Sequence, residues 1–526
     1  MASKPTVFVR EATGLVRSFS MWDAFMISSA SVGWCIFGYA SQINFVATAN
    51  PGADYLWSAI LGFFLVIPVA LVYTYCAVAL PRSGSDYVWA SRLVNPFLGF
   101  FIGFWMVINL ALGLGSQGWI FATAGLPNTL ATFGYALNSP SLISLTNYLT
   151  QPIPATVVGI AMLVIAFLIG LGAKLIHRAM LVITAIVILS DLVSFAILLS
   201  STHAGFISAV NGYGGTNMTY DGVIKAAQGA GWSWNGTSWA QTLASIPLGY
   251  LLFLFPANSA AFGGEIKSIK KSMPLSVLLT LVCSLFFFLV GIQLTVNVVG
   301  YPFIQASMNQ PPGAWPLAAP SWAITWISML ANNNLPVLFI LQLGWLVFWP
   351  WWMAALFLFA SRYLFALSFD RAFPPMFADI NERLRFPVKA ALLIFFIAVF
   401  MMIFTSFTSY VGSFLNLTAM SALVYLIGSV AAMVLPFKMK DAAAVLPGSK
   451  WKVPFISIVG AISVVCQIVV FYFAITVPAI GPSSPAVYTL IIAIFVIMAV
   501  IFGARNYQLK RQGYNLRAVY SQIPPE

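Results

Sequence analysis

Long apolar runs separated by short polar segments repeat along almost the whole chain of 526 residues. A transmembrane helix needs about 20 consecutive, mostly apolar residues to cross the hydrocarbon core of a bilayer. Twelve runs reach this length, so we predict an all-α polytopic membrane protein with twelve transmembrane helices. The predicted spans cover residues 20–46, 55–80, 95–125, 153–173, 179–202, 241–263, 274–298, 335–366, 388–408, 411–436, 453–478 and 486–504.

Two of these runs, the first and the sixth, are interrupted by residues that do not favour a continuous helix. Residues 27–37 (ISSASVGWCIF) contain small residues and Gly33, and residues 250–265 (YLLFLFPANSAAFGGE) contain Pro256 and Asn258. Backbone hydrogen bonds can be given up inside a membrane only where protein, water or a ligand replaces them. Paired broken helices indicate a transporter site near the bilayer midplane. The alternative is close helix packing, which also favours small residues.

The composition and the distribution of charge agree with a membrane protein of defined orientation. Hydrophobic residues make up 61% of the chain and charged residues only 7%, and the mean hydropathy is +0.94, which is far from the range of soluble proteins. With an inside N-terminus, the inner segments hold 23 of the 24 lysines and arginines, and only Lys225 lies outside. The positive-inside rule therefore predicts cytoplasmic N- and C-termini, with the chain in the plasma membrane.

The net charge of +12 is spread over short loops and not gathered on one patch, so we do not expect a nucleic-acid partner. Four cysteines lie in predicted spans as small buried residues, and no metal-ligand spacing or cofactor motif is present. Two histidines and one carboxylate deep in a span do not form a catalytic set. We expect a carrier and not an enzyme, a channel or an ATP-driven pump. The oligomeric state is left open.

Four motifs lie at the junctions of predicted helices. They are LPRSGSDYVWASR (residues 80–92), GEIKSIKKSMP (264–274), ASRYLFALSFDRAFP (360–374) and NLTAMSALVY (416–425). Together they resemble the signatures of the amino acid–polyamine–organocation superfamily of permeases. The resemblance implies two inverted repeats of five helices, broken helices 1 and 6, and two peripheral helices.

The predicted organisation follows from that resemblance. The parts are a cytoplasmic N-terminus (1–19), a first repeat (20–202), an extracellular loop (203–240), a second repeat (241–436), helices 11 and 12 with their connections (437–504) and a cytoplasmic C-terminus (505–526). The loop carries two glycosylation sequons, at Asn217 and Asn235, whose use is left open.

The resemblance also implies a binding site, in which amides of helix 1 hold a substrate carboxylate and carbonyls of helix 6 hold its amine. Half-helix ends attract such groups on physical grounds alone. The chain departs from the family where Cys35 replaces a second glycine and where Pro256 and Ala257 replace an aromatic and an acidic residue. Phe253 and Phe255 are candidates for an aromatic lid, with ordinary packing as the alternative. The candidate substrate-binding residues are Ser29, Ala30, Ser31, Val32, Gly33, Phe253, Phe255, Pro256, Ala257, Asn258 and Trp349.

Asp191 in helix 5 is the one carboxylate predicted to lie deep within a span, and such residues are functional candidates. A buried carboxyl group can exchange a proton near neutral pH, so Asp191 is the candidate for proton coupling. The alternative is a structural hydrogen bond to a neighbouring helix. Sodium coupling is disfavoured because residues 346–356 of helix 8 contain no serine or threonine.

The sequence therefore predicts a secondary permease for amino acids, with neutral apolar or aromatic ones as the first hypothesis. It would work by alternating access, and two possibilities stay open, proton coupling through Asp191 and uncoupled exchange. An amine or polyamine carrier, or an amino acid exchanger of the same fold, is the alternative. An amine carrier would need a carboxylate in the pocket, and only Asp191 is available for that role.

Overall fold

The structure is a computed structural model that describes residues 13–216, 218–311, 313–408, 417–477, 485–514 and 516–525. The described chain is helical, and its only β-type pairs are isolated bridges. The long helices are α3 (Tyr55–Ala79), α5 (Pro96–Ile120), α8 (Pro152–Gly170), α9 (Ala173–Ser200), α14 (Ile269–Val299), α17 (Leu335–Phe369), α18 (Val388–Phe407), α19 (Leu417–Lys438), α21 (Phe455–Thr476) and α22 (Pro485–Arg511).

Shorter helices form the broken spans and the connections. They are α1 (Met21–Val32), α2 (Ile36–Ala49), α4 (Ser85–Leu93), α6 (Leu126–Ala136), α7 (Pro140–Leu149), α10 (His203–Asn211), α11 (Tyr220–Gly229), α12 (Trp239–Ala244), α13 (Ile246–Phe253), α15 (Tyr301–Met308), α16 (Ala323–Leu330), α20 (Lys440–Ala443) and α23 (Leu516–Tyr520).

Eleven helical segments of the described chain are long and apolar enough to cross a membrane. The first of them is α1 and α2 together, joined through a turn at residues 33–35. The sixth predicted span is absent from this set because α13 ends at Phe253 and two short 3-10 turns, Pro256–Ala261 and Gly263–Glu265, replace the rest of the helix. The predicted helical membrane fold with breaks in helices 1 and 6 is therefore confirmed, whereas the exact domain boundaries stay a prediction.

Several predicted boundaries differ from the observed ones. The third span continues beyond residue 125 through a π-helical turn, Phe121–Gly125, into α6, which ends at Ala136. The predicted loop of residues 203–240 contains α10, α11 and the start of α12. Ring contacts of Phe303 with Phe206 and Tyr220 hold these short helices against α15. Asn217 lies outside the described residues, as does Asn416 of the fourth motif.

The helices pack so that the two broken spans lie between long neighbours. α1 contacts α14 and α17, the 3-10 turn Pro256–Ala261 contacts α1 and α3, and α17 also packs against α5, α8 and α9. α21 packs against α19 and α3, and α22 packs against α5. We call the side of the bundle that carries α4, Arg362 and Asp370 the basic end, since the predicted inner segments with most of the lysines and arginines meet there, and the other side the opposite end.

Candidate functional site

The first span breaks at Gly33. This residue ends α1 in the left-handed conformation, with φ 67° and ψ 42°, and its N–H donates to the carbonyl of Ser29. Glycine adopts this conformation without steric cost. A Cβ atom at Gly33 would also lie only 2.9 Å from Cε2 of Phe348. The helix resumes at Ile36, so the peptide units of residues 33–35 lie outside regular helix in the middle of the bundle.

The second break begins after Phe253 and lies directly against the first. Pro256 stands at the start of the 3-10 turn, where its missing N–H costs little. The hydroxyl of Ser31 donates to the carbonyl oxygen of Phe255 at 3.0 Å and to that of Ser28 at 2.7 Å. This bond joins the end of the first half-helix to the unwound part of the sixth span. The two breaks therefore form one crossing.

Helix α17 covers this crossing with aromatic side chains. The indole Nε1 of Trp352 donates to the carbonyl of Ser31 at 3.1 Å. The ring of Phe37 stacks on Phe348, with centroids 4.4 Å apart, and meets the edge of Trp349 at 4.8 Å. The fully buried Trp349 also packs on the π-helical turn, where a Cβ at Gly125 would lie 2.9 Å from its Nε1. Such turns are frequent at functional sites.

Several buried polar atoms of the two broken spans and of α17 have no hydrogen-bond partner among the described residues. Among them are the hydroxyls of Ser28 and Ser29, the amide Nδ2 of Asn258 and the indole Nε1 of Trp349. An unpaired buried polar atom costs free energy and requires an explanation. Carbonyl and carboxylate oxygens of a ligand would satisfy these donors.

Asp191 lies beside the start of α2. It is fully buried, and neither carboxylate oxygen has a hydrogen-bond partner of good geometry in the described chain, although the backbone N–H of Ile36 lies close to the carboxylate. It lines a gap too narrow for a water molecule together with Cys35, Ile36 and Trp345. The gap adjoins the N-terminal end of α2, where the helix dipole favours negative charge. Tyr39 and Cys35 are the titratable neighbours of the carboxylate.

The predicted site residues do not all lie in one place. Ser31, Gly33, Phe255 and Asn258 lie in the two breaks, and the structure places Ala30, Val32, Pro256 and Ala257 beside them, all buried. The ring of Phe253 instead packs between Phe63 and Phe288, at 5.1 and 5.3 Å. Substrate contact by any of these residues stays a prediction.

The basic end is closed by buried charges and tyrosines. Arg362 donates to both carboxylate oxygens of Glu265, at 2.6 and 2.8 Å. Arg92 pairs with Asp370 at 2.7 Å. Asp86 on α4 accepts hydrogen bonds from neighbouring side chains, and burial raises the pKa of its carboxyl above the usual range although these bonds act in the other direction. This end of the bundle is therefore sealed in the structure.

A polar cluster lies towards the opposite end of α17, and the sequence did not single it out. Gln342 accepts from Thr129 at 2.8 Å and donates to Thr132 and Ser328 at 3.2 and 3.1 Å. All four side chains are buried. Residues brought together from three helices have no common signal in sequence, and the same applies to Phe37, Phe348 and Trp352.

Comparisons with known proteins agree with this geometry. The sequence model described as amino acid permease matches residues 19–501. A branched-chain amino acid permease of Lactococcus lactis is 23% identical over 435 residues, which cover 81% of this chain and 82% of that protein.

Two proteins of Schizosaccharomyces pombe are similar over shorter stretches. An uncharacterized amino-acid permease is 32% identical over 131 residues, covering 24% of this chain and 23% of that protein. A thiamine transporter is 30% identical over 124 residues, covering 23% of this chain and 20% of that protein. The matched part of the chain thus spans less than a quarter of the length of each of these two relatives.

The family match extends over nearly the whole chain, and the helix breaks lie in the first and sixth apolar runs, where the sequence predicts them. The protein is a multi-pass membrane protein that belongs to the amino acid permease family of the amino acid–polyamine–organocation superfamily.

Proposed function

We propose that this permease carries neutral amino acids with apolar or aromatic side chains by alternating access between the two sides of the plasma membrane. The observation that carries the proposal is the hydrogen bond from Ser31 to the carbonyl of Phe255, which brings the two helix breaks together. The N-terminal end of α2 suits a carboxylate, and carbonyls of the unwound sixth span suit an ammonium group. A zwitterion satisfies both.

The lining of the crossing supports an uncharged side chain on the substrate. Phe37, Phe348 and Trp349 contact one another next to the break at Gly33. An apolar or aromatic substrate side chain buries its surface well against such rings. The name of the Lactococcus lactis relative, a branched-chain amino acid permease, favours the same class.

We propose Asp191 as the proton-coupling residue and place both termini on the cytoplasmic side. The carboxylate has no hydrogen-bond partner within the described chain and lies beside the break, so its protonation would change the field at the amides of α2. The matched control for this role is Asp23, a buried acid of the broken first span, which is already paired with His177 and Ser20.

A second candidate function is an amine carrier of the same fold. The specific observation in its favour is the unpartnered carboxylate of Asp191, which would pair with a cationic substrate. One relative, similar to this chain over a shorter stretch, is named a thiamine transporter, and thiamine is a cation. In this case the substrate needs no carboxylate.

The test is a thermal-shift screen of the purified full chain against amino acids, amines and polyamines. A ligand that binds only the folded state raises the apparent melting temperature. Neutral L-amino acids with apolar side chains should stabilise the protein, and their uptake into proteoliposomes should follow. Stabilisation by amines alone would replace the first proposal with the second.

A further inference from the structure

Asp86 ties three segments together at the basic end. Its carboxylate accepts from the hydroxyls of Tyr73 on α3 at 2.5 Å and Tyr363 on α17 at 2.7 Å, and from Ser85 at 3.0 Å. All four residues are at most 2% exposed. We call Asp86, Tyr73, Tyr363 and Ser85 the Asp86 cluster. Opening the basic end would have to separate α3, α4 and α17 and therefore break it.

The ring of Tyr73 also contacts a residue of α19. Its centroid lies 5.1 Å from that of Tyr425, in an edge-to-face arrangement. Gly428, one turn further along α19, leaves the space for Tyr73, since a Cβ there would lie 2.9 Å from the tyrosine hydroxyl. Because aromatic pairs of this kind have a preferred geometry, a shift of the Tyr425 ring would displace the ring of Tyr73.

The hydroxyl of Tyr425 contacts the sixth span. Its hydroxyl donates to Oδ1 of Asn258 at 3.4 Å, a long hydrogen bond, while Nδ2 of Asn258 has no partner among the described residues. An ammonium group of a ligand at the break would compete with Tyr425 for Oδ1. A ligand carboxylate would engage Nδ2 instead.

We propose that Tyr425 is a positioning residue which transmits substrate binding at Asn258 to the Asp86 cluster through the ring of Tyr73. The inference rests on the proposed function, because it requires a substrate at the helix crossing. When the substrate takes over Asn258, the hydroxyl of Tyr425 is released, the contact with Tyr73 shifts, and the bond from Tyr73 to Asp86 weakens. The basic end then opens more readily with substrate bound than without it.

The test uses the full chain, L-leucine as the substrate and Tyr425→Phe as the variant. This change removes the hydroxyl and keeps the ring against Tyr73. Because the variant already lacks the hydrogen bond that the substrate is proposed to release, we expect the basic end of the substrate-free protein to open about two- to tenfold more readily, the value of one hydrogen bond.

Cys76 provides a second measurement that a merely structural role would not change. It lies on α3 one turn beyond Tyr73 and is fully buried. Its modification by a water-soluble maleimide, followed peptide by peptide with mass spectrometry, reports opening at the basic end. L-leucine should accelerate the maleimide reaction of Cys76 in the wild-type protein. In Tyr425→Phe, L-leucine should leave the rate of this reaction unchanged.

Tyr250→Phe is the matched control. The hydroxyl of this buried tyrosine of the sixth span donates to Gln467 at 2.7 Å and, in the described chain, bonds to neither Asn258 nor Asp86. It should retain the response of Cys76 to L-leucine. Tyr73→Phe, which keeps the ring and loses the bond to Asp86, should reproduce the effect of Tyr425→Phe, and the double variant should be no worse than either single one. If either Tyr425→Phe or Tyr73→Phe folds poorly, the other variant still tests the relay.

The outcomes separate the two proposals. If the wild-type protein neither binds nor transports L-leucine or any other neutral amino acid of the thermal-shift screen, the proposed function is wrong and this inference is wrong with it. If it does both, and Tyr425→Phe keeps the response of Cys76 to L-leucine, the relay is overturned while the proposed function stands. Equal losses in Tyr425→Phe and Tyr250→Phe would also overturn it.

Discussion

Ser31 and Phe255 are 224 positions apart in sequence, and the hydroxyl of the first donates to the carbonyl of the second at 3.0 Å. The same carbonyl also accepts from the backbone N–H of Asn258 at 3.1 Å. The bond from Ser31 connects the two half-helices whose ends are proposed to hold the substrate. Backbone groups freed within a membrane require such partners.

Ser31→Ala should loosen this crossing. The variant loses a buried hydrogen bond, so we expect a loss of stability of about 0.5–1.5 kcal/mol and a lower rate of uptake. Thermal denaturation in detergent and uptake into proteoliposomes measure the two effects. Ser116→Ala is the control, because this buried hydroxyl of α5 has no partner in the described chain and its removal should be near neutral. Equal behaviour of the two variants would contradict the role of Ser31.

Gly33→Ala should be strongly unfavourable. The backbone at this position has a positive φ, which costs a non-glycine residue about 1–2 kcal/mol, and the new methyl group would approach Phe348. We expect a lower melting temperature and a large loss of uptake. Gly113→Ala on α5, where a Cβ would meet nothing within 4 Å, provides the comparison and should be tolerated. A Gly33→Ala protein with normal uptake would show that the break does not need this conformation.

Glu265→Gln should destabilise the basic end. It leaves the guanidinium of Arg362 buried without its counter-charge, a change that costs about 3–5 kcal/mol in comparable cases. Lys389→Gln breaks the exposed pair with Asp379, whose side chains are 53% and 40% accessible, and should cost about 0–1 kcal/mol. The free energies of unfolding, measured for both variants in the same detergent, test this. Similar losses of unfolding free energy in Glu265→Gln and Lys389→Gln would contradict the prediction that the buried ion pair stabilises the protein more than the exposed one.

Asp191→Asn tests proton coupling. The substitution keeps the size of the side chain and removes its charge and its titration. We expect binding of L-leucine to persist, while accumulation no longer responds to an imposed pH gradient. Proteoliposomes with a pH difference across the membrane measure this directly. Asp23→Asn is the control, because it also removes a buried acid but one on the first span. If Asp191→Asn still accumulates L-leucine in response to the pH gradient, Asp191 does not couple transport to protons.

The local sequence was sufficient for the membrane class and for the position of the breaks. Hydropathy is additive along a chain, so runs of apolar residues reveal spans without knowledge of their neighbours. Gly33 and Pro256 act on their own backbone through conformational freedom and a missing N–H, and both breaks lie where these residues predict them. The family motifs, being contiguous, were equally visible and were confirmed by the match over residues 19–501.

The partners across the bundle were decided only by tertiary structure. Nothing in the sequence near Phe253 distinguishes a lid over a substrate from a ring packed between Phe63 and Phe288. Likewise, Tyr425 gains its contacts with Asn258 and Tyr73 from two helices that are distant in sequence. Hydrophobicity determines which segments enter the membrane. Because all membrane-spanning helices are similarly hydrophobic, hydrophobicity does not select which helices pack together, and this choice depends on the shape and hydrogen bonding of individual side chains.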